Sequence, residues 1–117
     1  MSFDAIDAEV AACDARSLQA TQAGAQAFAR LLELAEERDS GQFPRIARLL
    51  AAIYNGQAFQ LDLFELRAVD IAISDDMLRC LDALCWGRAD LHTLIPNGDA
   101  RVRAVIDLWG LRWPNDT

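Results

Sequence analysis

The sequence predicts an all-α fold in which residues 1–117 form a single compact domain of five or six short helices. Ala and Leu dominate the composition, whereas Thr and Val, which favour strands, are sparse. Apolar residues recur at positions i, i+3, i+4 and i+7 in three segments, a spacing that places them on one side of a helix. The segments begin at Phe28, Ile46 and Val102.

Turn-forming residues separate the first two segments. Residues 39–41, Asp-Ser-Gly, close the segment that begins at Phe28. Pro44 stands at the start of the next helix, where its fixed φ suits a first helical turn. Asn55-Gly56 ends that helix, and we expect Gly56 to adopt the left-handed conformation.

Polar residues mark the later helices in the same way. Asp62 and Glu65 are similar to a capping box, which predicts a short helix over about residues 63–69. Ser74 is expected to cap a longer helix that follows. Asp99, after a Pro-Asn-Gly turn, is expected to cap the last helix.

The N-terminal region carries an apolar stripe with alternating spacings of three and four residues, as in a short coiled-coil seam. Its members are Phe3, Ile6, Val10 and Cys13. The stripe predicts either a separate helix over about residues 1–22 or the front of one long helix that reaches Arg38. Together with Trp113 it is more apolar surface than a small monomer needs to expose, so we expect a symmetric homodimer to bury it.

An apolar core is expected where the periodic segments meet. A chain of this length buries about two-thirds of the surface that its unfolded form exposes, which suffices for one domain. The residues assigned to this core are Phe28, Leu31, Leu32, Ile46, Leu49, Leu50, Ile53, Leu66, Val69, Leu78, Leu81, Val102, Val105, Ile106 and Trp109.

The charge of the chain argues against several functions. All 11 basic residues are arginine, so no lysine is available as a Schiff-base former, a general base or a phosphate ligand. The formal net charge is −7, whereas a general nucleic-acid binder needs a basic surface. Residues 1–40 and 61–100 each contain eight acids and three arginines, or −5, so the negative charge lies in two segments.

We expect a cytoplasmic protein with no membrane segment and no cofactor. The N-terminal residues include acids where a signal peptide needs positive charge, and no apolar run approaches the roughly 20 residues of a membrane span. Cys13, Cys80 and Cys85 show no C-x-x-C spacing, and we expect all three to be reduced and buried.

A metal or thiol site receives little support from the sequence. His92 is the one histidine, and with three scattered cysteines it does not match the ligand spacing of a zinc site. Cys85 and His92 lie seven residues apart, but nothing specifies the third group that would orient such a nucleophile and base.

Two carboxylate pairs leave an enzyme as an alternative. Glu33 with Glu36, and Asp62 with Glu65, have the i, i+3 spacing that places two carboxylates on one side of a helix. Small all-α pyrophosphohydrolases hold Mg²⁺ with such pairs, so a Mg²⁺-dependent nucleotide pyrophosphohydrolase is the alternative function. Against it, a capping box accounts for the second pair and no lysine is available to contact phosphate.

The middle of the chain resembles a family of small helical proteins of unknown function found on plasmids, integrative elements and prophages. The resemblance covers about residues 28–81, and its most specific part is Asp62-Leu63, Val69-Asp70 and Asp76-Met77 in that order. It implies an accessory role in a mobile element and no catalytic residue.

We therefore expect a non-enzymatic protein that binds another protein, such as an inhibitor of a host defence nuclease or of a CRISPR–Cas component. Its acids would meet a basic nucleic-acid groove of the partner, because complementary potentials favour that contact. A structural homo-oligomer or a regulator of the element is a further alternative. The residues assigned to protein binding are Asp70, Asp75, Asp76, Asp82, Arg112 and Trp113.

Overall fold

The computed structural model of the chain describes residues 3–37, 41 and 43–114, and in this part it contains four α-helices, two 3₁₀ segments and no strand. The helices are α1 (Phe3–Glu36), α2 (Phe43–Tyr54), α3 (Ile71–Trp86) and α4 (Gly98–Leu108), and the 3₁₀ segments are Leu63–Arg67 and Leu91–Leu94. The all-α prediction is confirmed. The predicted number of five or six helices is wrong, because the N-terminal stripe continues into the next helix and the segment after Asp62 forms only a 3₁₀ turn.

Helix α1 organises the fold. It is uninterrupted from Phe3 to Glu36, the second of the two arrangements that the N-terminal stripe allows, while Arg38 and residues 39–40 lie outside the described part. It contacts all three other helices. Helix α3 packs against it in antiparallel orientation, with Asp76 beside Arg30 and Arg88, just after α3, beside Asp14.

Close approach between α1 and α3 depends on a small residue. A Cβ atom on Gly24 would lie 2.4 Å from the Ala83 Cβ, so a larger residue cannot fit without a shift. The Cys80 thiol next to this contact lies 3.8 Å from the Gly24 carbonyl oxygen. The antiparallel pair is therefore packed backbone to backbone at its centre.

The core lies where α1, α2 and α4 meet the inner side of α3. Nine of the expected core residues are buried: Phe28, Leu31, Leu32, Ile46, Leu49, Leu50, Val102, Val105 and Ile106. Five others are half-buried: Ile53, Leu66, Val69 and Trp109 pack against the core, and Leu81 is half-buried on α3. The assignment of Leu78 to the core is wrong, because Leu78 is 53% exposed. The buried side of α3 is formed by Met77, Cys80 and Ala83.

Helix boundaries differ from prediction at three caps. Helix α3 begins at Ile71 after Asp70, so Ser74 lies inside the helix and its hydroxyl donates to the Ile71 carbonyl. Helix α4 is preceded by Asn97 at φ 56°, and Asp99 lies within its first turn. Gly56 does not have a positive φ; the Asn55 side chain closes that turn by accepting hydrogen bonds from the two amides that follow Gly56.

Two further expectations concern the burial of the cysteines and the presence of membrane-spanning helices. Cys80 is buried as expected, but Cys13 and Cys85 are exposed. Cys85 lies on the side of α3 that faces away from the core, and Cys13 lies on α1 beyond the end of α3. Among residues 3–37, 41 and 43–114, none of the helices combines the length and apolar content needed to cross a bilayer.

Candidate functional site

The side of α3 opposite the core carries an unusual mixture of apolar and acidic residues. Positions i, i+4, i+7, i+11 and i+14 of a helix share one side, and on α3 these are Ile71, Asp75, Leu78, Asp82 and Cys85. We call this surface the outer α3 face. Ile71 is 79% exposed and Leu78 is 53% exposed, which is uncommon for aliphatic residues one heptad apart on the same helix side.

The acids on or beside this face differ in their exposure and in their hydrogen bonds to the rest of the chain. Asp75 is exposed, and its position between Ile71 and Leu78 places its carboxylate beside both aliphatic side chains. Asp82 accepts a hydrogen bond at 2.7 Å from Arg16, across the contact between α3 and α1. Asp70 is exposed at the N-cap position of α3, immediately before the outer face begins. Three of the four acids assigned to binding therefore lie on or beside one helix side.

Asp76 does not belong to this surface. The residue is only 8% exposed, and its carboxylate accepts hydrogen bonds from Arg30 at 3.0 and 2.8 Å and from Arg79 at 2.7 Å. The Arg30 guanidinium, assisted by Arg79, lowers the pKa of the Asp76 carboxyl against the opposing effect of burial. The expectation that Asp76 is exposed for a partner is wrong, because α1 supplies a partner inside the chain.

Trp113 is packed against aromatic residues of its own chain. Its ring lies edge-on to Phe59 with centroids 4.9 Å apart and to Tyr54 at 6.4 Å, and it is half-buried. Arg112 is exposed and borders a shallow pocket that also contains Arg48 and Phe59. The role of Trp113 as a partner anchor stays a prediction, although much of its ring already contacts the chain.

Three of the four carboxylates of the alternative enzyme hypothesis, Glu36, Asp62 and Glu65, accept hydrogen bonds from arginines or from the backbone. Both Glu65 oxygens accept from Arg48 at 2.9 Å, while Asp62 caps its 3₁₀ segment by accepting from the Phe64 amide at 2.9 Å. The capping box is therefore only half formed. Glu36 accepts from Arg101 at 3.1 and 2.6 Å. Over the described ranges, no group of three or more His, Cys, Asp or Glu side chains is placed to hold a metal ion.

Tyr54, Asp99 and Arg103 form a polar cluster that the sequence did not indicate. The Tyr54 hydroxyl donates to the Asp99 carboxylate, and Arg103 donates to that hydroxyl at 2.9 Å and to Asp99 at 3.2 Å. The hydrogen bond to Asp99, with some burial, raises the pKa of Tyr54 further above its ordinary value, which disfavours the phenolate. The His92 ring lies edge-on to Tyr54 at 4.8 Å. This cluster ties α2 to α4 and supplies no activated nucleophile.

A second apolar surface lies just before α3. Leu63 and Phe64 of the first 3₁₀ segment are exposed, and the Arg67 guanidinium lies 4.7 Å from the centroid of the Phe64 ring. Sequence reasoning missed both residues, because a short segment has no periodicity from which to infer the buried side.

The fold and the outer α3 face together define a small all-α protein in which one acidic and apolar helix side faces solvent. The chain belongs to a family of unknown function, DUF7673, whose model matches residues 25–110. No curated protein and no solved structure matches the chain. The predicted resemblance to a family of unknown function is thus confirmed over a longer range than residues 28–81, and the plasmid or prophage setting stays a prediction.

Proposed function

We propose that this chain is a non-enzymatic protein that binds another protein through the outer α3 face. The observation that carries the proposal is the exposure of Ile71 and Leu78 one heptad apart, with Asp75 between them. Aliphatic side chains at i and i+7 of a rigid helix are the anchors by which a helix docks in an apolar groove. Complete burial of each would contribute about 1.5–3 kcal/mol before the costs of association.

The acids indicate the chemistry of the partner. Asp70, Asp75 and Asp82 border the apolar residues on a chain whose net charge is −7. A groove edged by arginine or lysine would complement them, raise the association rate and suppress wrong partners. The occupant we propose is therefore a basic protein surface with an apolar floor.

The specific form of this proposal is an inhibitor of a host defence protein in the cytoplasm, encoded by a mobile element. Nucleases of such systems, CRISPR–Cas components among them, present basic grooves to nucleic acid. An acidic helix that occupies such a groove would exclude the nucleic acid. The negative charge of the chain and the concentration of acids on one side of α3 support this form.

The test begins with identification of a partner retained from host lysate, followed by binding measurements with purified proteins. Leu78→Ser is expected to weaken binding at least tenfold, and Asp75→Arg to slow association and reduce its dependence on salt. Asp107→Arg is the matched control, because Asp107 is an exposed acid on α4, away from α3. Equal effects of Asp75→Arg and Asp107→Arg would contradict a role for the outer α3 face.

The Mg²⁺-dependent pyrophosphohydrolase remains the alternative function and is tested directly. Purified chain is incubated with nucleoside triphosphates and Mg²⁺, with Glu36→Gln as the comparison variant. Turnover that this variant abolishes would overturn the proposal of a non-enzymatic protein. The third alternative, a homo-oligomer or regulator of the element, predicts self-association without a host partner.

A further inference from the structure

The fold brings the basic parts of this acidic chain together at one pocket. Residues 41–60 contain Arg45 and Arg48 and no acid, and residues 101–117 contain three arginines and two acids, whereas the two remaining segments each carry −5. Arg48 from the first basic segment and Arg112 from the second line the same pocket, which we call the arginine pocket. Its lining also includes Ala51, Ala58, Phe59 and Leu111, and it contains no acid.

The inner surface of the arginine pocket is apolar. Ala51 of α2 is fully buried and Phe59 is 9% exposed, while Ala58 and Leu111 are half-buried. Ala51 follows Arg48 by three residues, so its small side chain lies on the same side of α2 as the Arg48 side chain. The volume of the pocket is about 180 Å³. Since an apolar cavity of about 150 Å³ can hold benzene, this volume accommodates a group of about that size.

Backbone hydrogen bonds hold the walls of the pocket in place. The Asn55 side chain accepts from the Ala58 amide at 3.1 Å, and the Asn55 carbonyl accepts from the Phe59 amide at 3.0 Å. On the other side, the Leu111 amide donates to a carbonyl oxygen of α4 at 2.9 Å, and the Trp113 ring packs edge-on against Phe59 with centroids 4.9 Å apart. The pocket is therefore formed without a ligand.

The two arginines of the pocket retain donors for an anion. Arg112 is exposed and forms no hydrogen bond or ion pair with any residue that the structure describes. Arg48 donates to Glu65 through Nη2 alone, so within residues 3–37, 41 and 43–114 its Nε and Nη1 groups are unused. Glu65 also lies 4.0 Å from Arg45, so its single negative charge is shared by two arginines. The pocket therefore keeps a net positive charge.

We propose that the arginine pocket binds a small organic acid, in which one carboxylate is attached to an apolar group of about benzene size. The carboxylate lies between Arg48 and Arg112, because the planar guanidinium presents paired N–H donors that match a carboxylate. The apolar group lies on Ala51 and Phe59. An apolar floor with a few polar groups that fix orientation is the usual composition of a small-molecule site. No residue of α3 lines the pocket, so the inference is independent of the outer α3 face.

Three probes separate the two requirements of this site. Benzoate carries both the charge and the ring, benzamide replaces the charge by a neutral group of similar shape, and acetate lacks the ring. Titration calorimetry of the native chain is expected to give a dissociation constant of about 1 mM or lower for benzoate and at least tenfold weaker binding for the other two. Absence of benzoate binding, or equal binding of benzoate and benzamide, would overturn the proposal.

Matched variants locate the site. Arg112→Gln is expected to weaken benzoate binding at least tenfold, and so is Ala58→Leu, which fills the pocket without a change of charge. Arg67→Gln is the control, because Arg67 is an exposed arginine outside the pocket, with its guanidinium over the Phe64 ring. Equal losses for Arg112→Gln and Arg67→Gln, or native affinity in a folded Ala58→Leu chain, would overturn the proposal. Helical circular dichroism equal to that of the native chain establishes that each variant is folded.

The outer α3 face provides a separate control. Leu78→Ser, which is expected to weaken the proposed binding of a partner protein, should leave the affinity for benzoate unchanged. A chain that binds benzoate but retains no host protein would support the arginine pocket and count against the proposed function alone. A tenfold loss of benzoate affinity in Leu78→Ser would place the ligand on α3 and overturn the inference.

Discussion

The Asp76 carboxylate on α3 is bound by the guanidinium of Arg30 on α1 through two hydrogen bonds of 3.0 and 2.8 Å. The two residues are 46 positions apart, and their contact lies near the start of α3, where α1 and α3 run past each other. Arg79 adds a hydrogen bond at 2.7 Å from the next turn of α3. Asp76 therefore holds two helices together and is not part of the outer α3 face.

Replacement of Asp76 by asparagine is expected to destabilise the fold by about 1–2 kcal/mol. The charge-assisted hydrogen bonds would be lost, but both arginines are about half exposed and stay hydrated, which limits the cost. Urea unfolding measures the change. Asp75→Asn, one residue earlier and exposed, is the control and should change the unfolding free energy by about 0.5 kcal/mol or less.

The same carboxylate makes stability fall in acid. The pKa of Asp76 is lower in the folded chain than its ordinary value of 3.8, so the folded state binds fewer protons than the unfolded state near that pH. Its stabilising contribution is complete above about pH 4 and is lost as the pH falls through the folded pKa. Thermal unfolding between about pH 2 and 6 should therefore show a smaller acid-induced decrease in stability for Asp76→Asn than for the native chain.

Gly24→Ala tests the close contact of α1 with α3. Alanine favours a helix over glycine by about 1 kcal/mol, but its Cβ would lie 2.4 Å from the Ala83 Cβ and 3.1 Å from the Arg79 carbonyl oxygen. Overpacking of this kind costs about 1–3 kcal/mol, so we expect net destabilisation in chemical unfolding. Gly41→Ala, whose Cβ would meet nothing within 4 Å, should be neutral or stabilising, and equal effects at both sites would contradict the packing argument.

Two leucines distinguish the inner side of the fold from its outer α3 face. Leu49 is fully buried, and Leu49→Ala should lower the free energy of unfolding by about 2–5 kcal/mol. Leu78→Ala removes the same atoms from an exposed position and should change it by about 0.5 kcal/mol or less. A large loss at Leu78 would mean that α3 has the opposite rotational orientation.

Thiol reactivity gives an independent check on the orientation of α1 and α3. Burial raises the pKa of the Cys80 thiol to about 12, so the reactive thiolate is scarce near neutral pH. Cys13 and Cys85 are exposed. Iodoacetamide should add two groups to the folded chain and three to the chain in denaturant, as counted by mass spectrometry. Modification of Cys80 before the other two would contradict the fold.

The candidate site was predictable where it depended on local pattern. Asp75 and Asp82 lie on α3 as expected, and their spacing already places them on one helix side. Ile71 was not indicated as a surface residue, since an aliphatic side chain at a helix start is usually assigned to the core. The exposure of Leu63 and Phe64 was equally unpredictable, because a single 3₁₀ turn is too short to show a hydrophobic periodicity.

The sequence by itself determined that the chain is helical and where α2 and α4 bury their apolar sides. Those features depend on residues within about four positions of one another, so the repeated spacing from Ile46 and from Val102 was sufficient. Only the tertiary structure decided which side of α3 faces inward and how far α1 extends past it. Asp76 is buried because Arg30, 46 positions earlier in the chain, binds it from α1. The first turns of α1 around Val10 are exposed because α3 ends at Trp86. Contacts between residues far apart in the chain depend on how the helices pack, and local periodicity does not predict them.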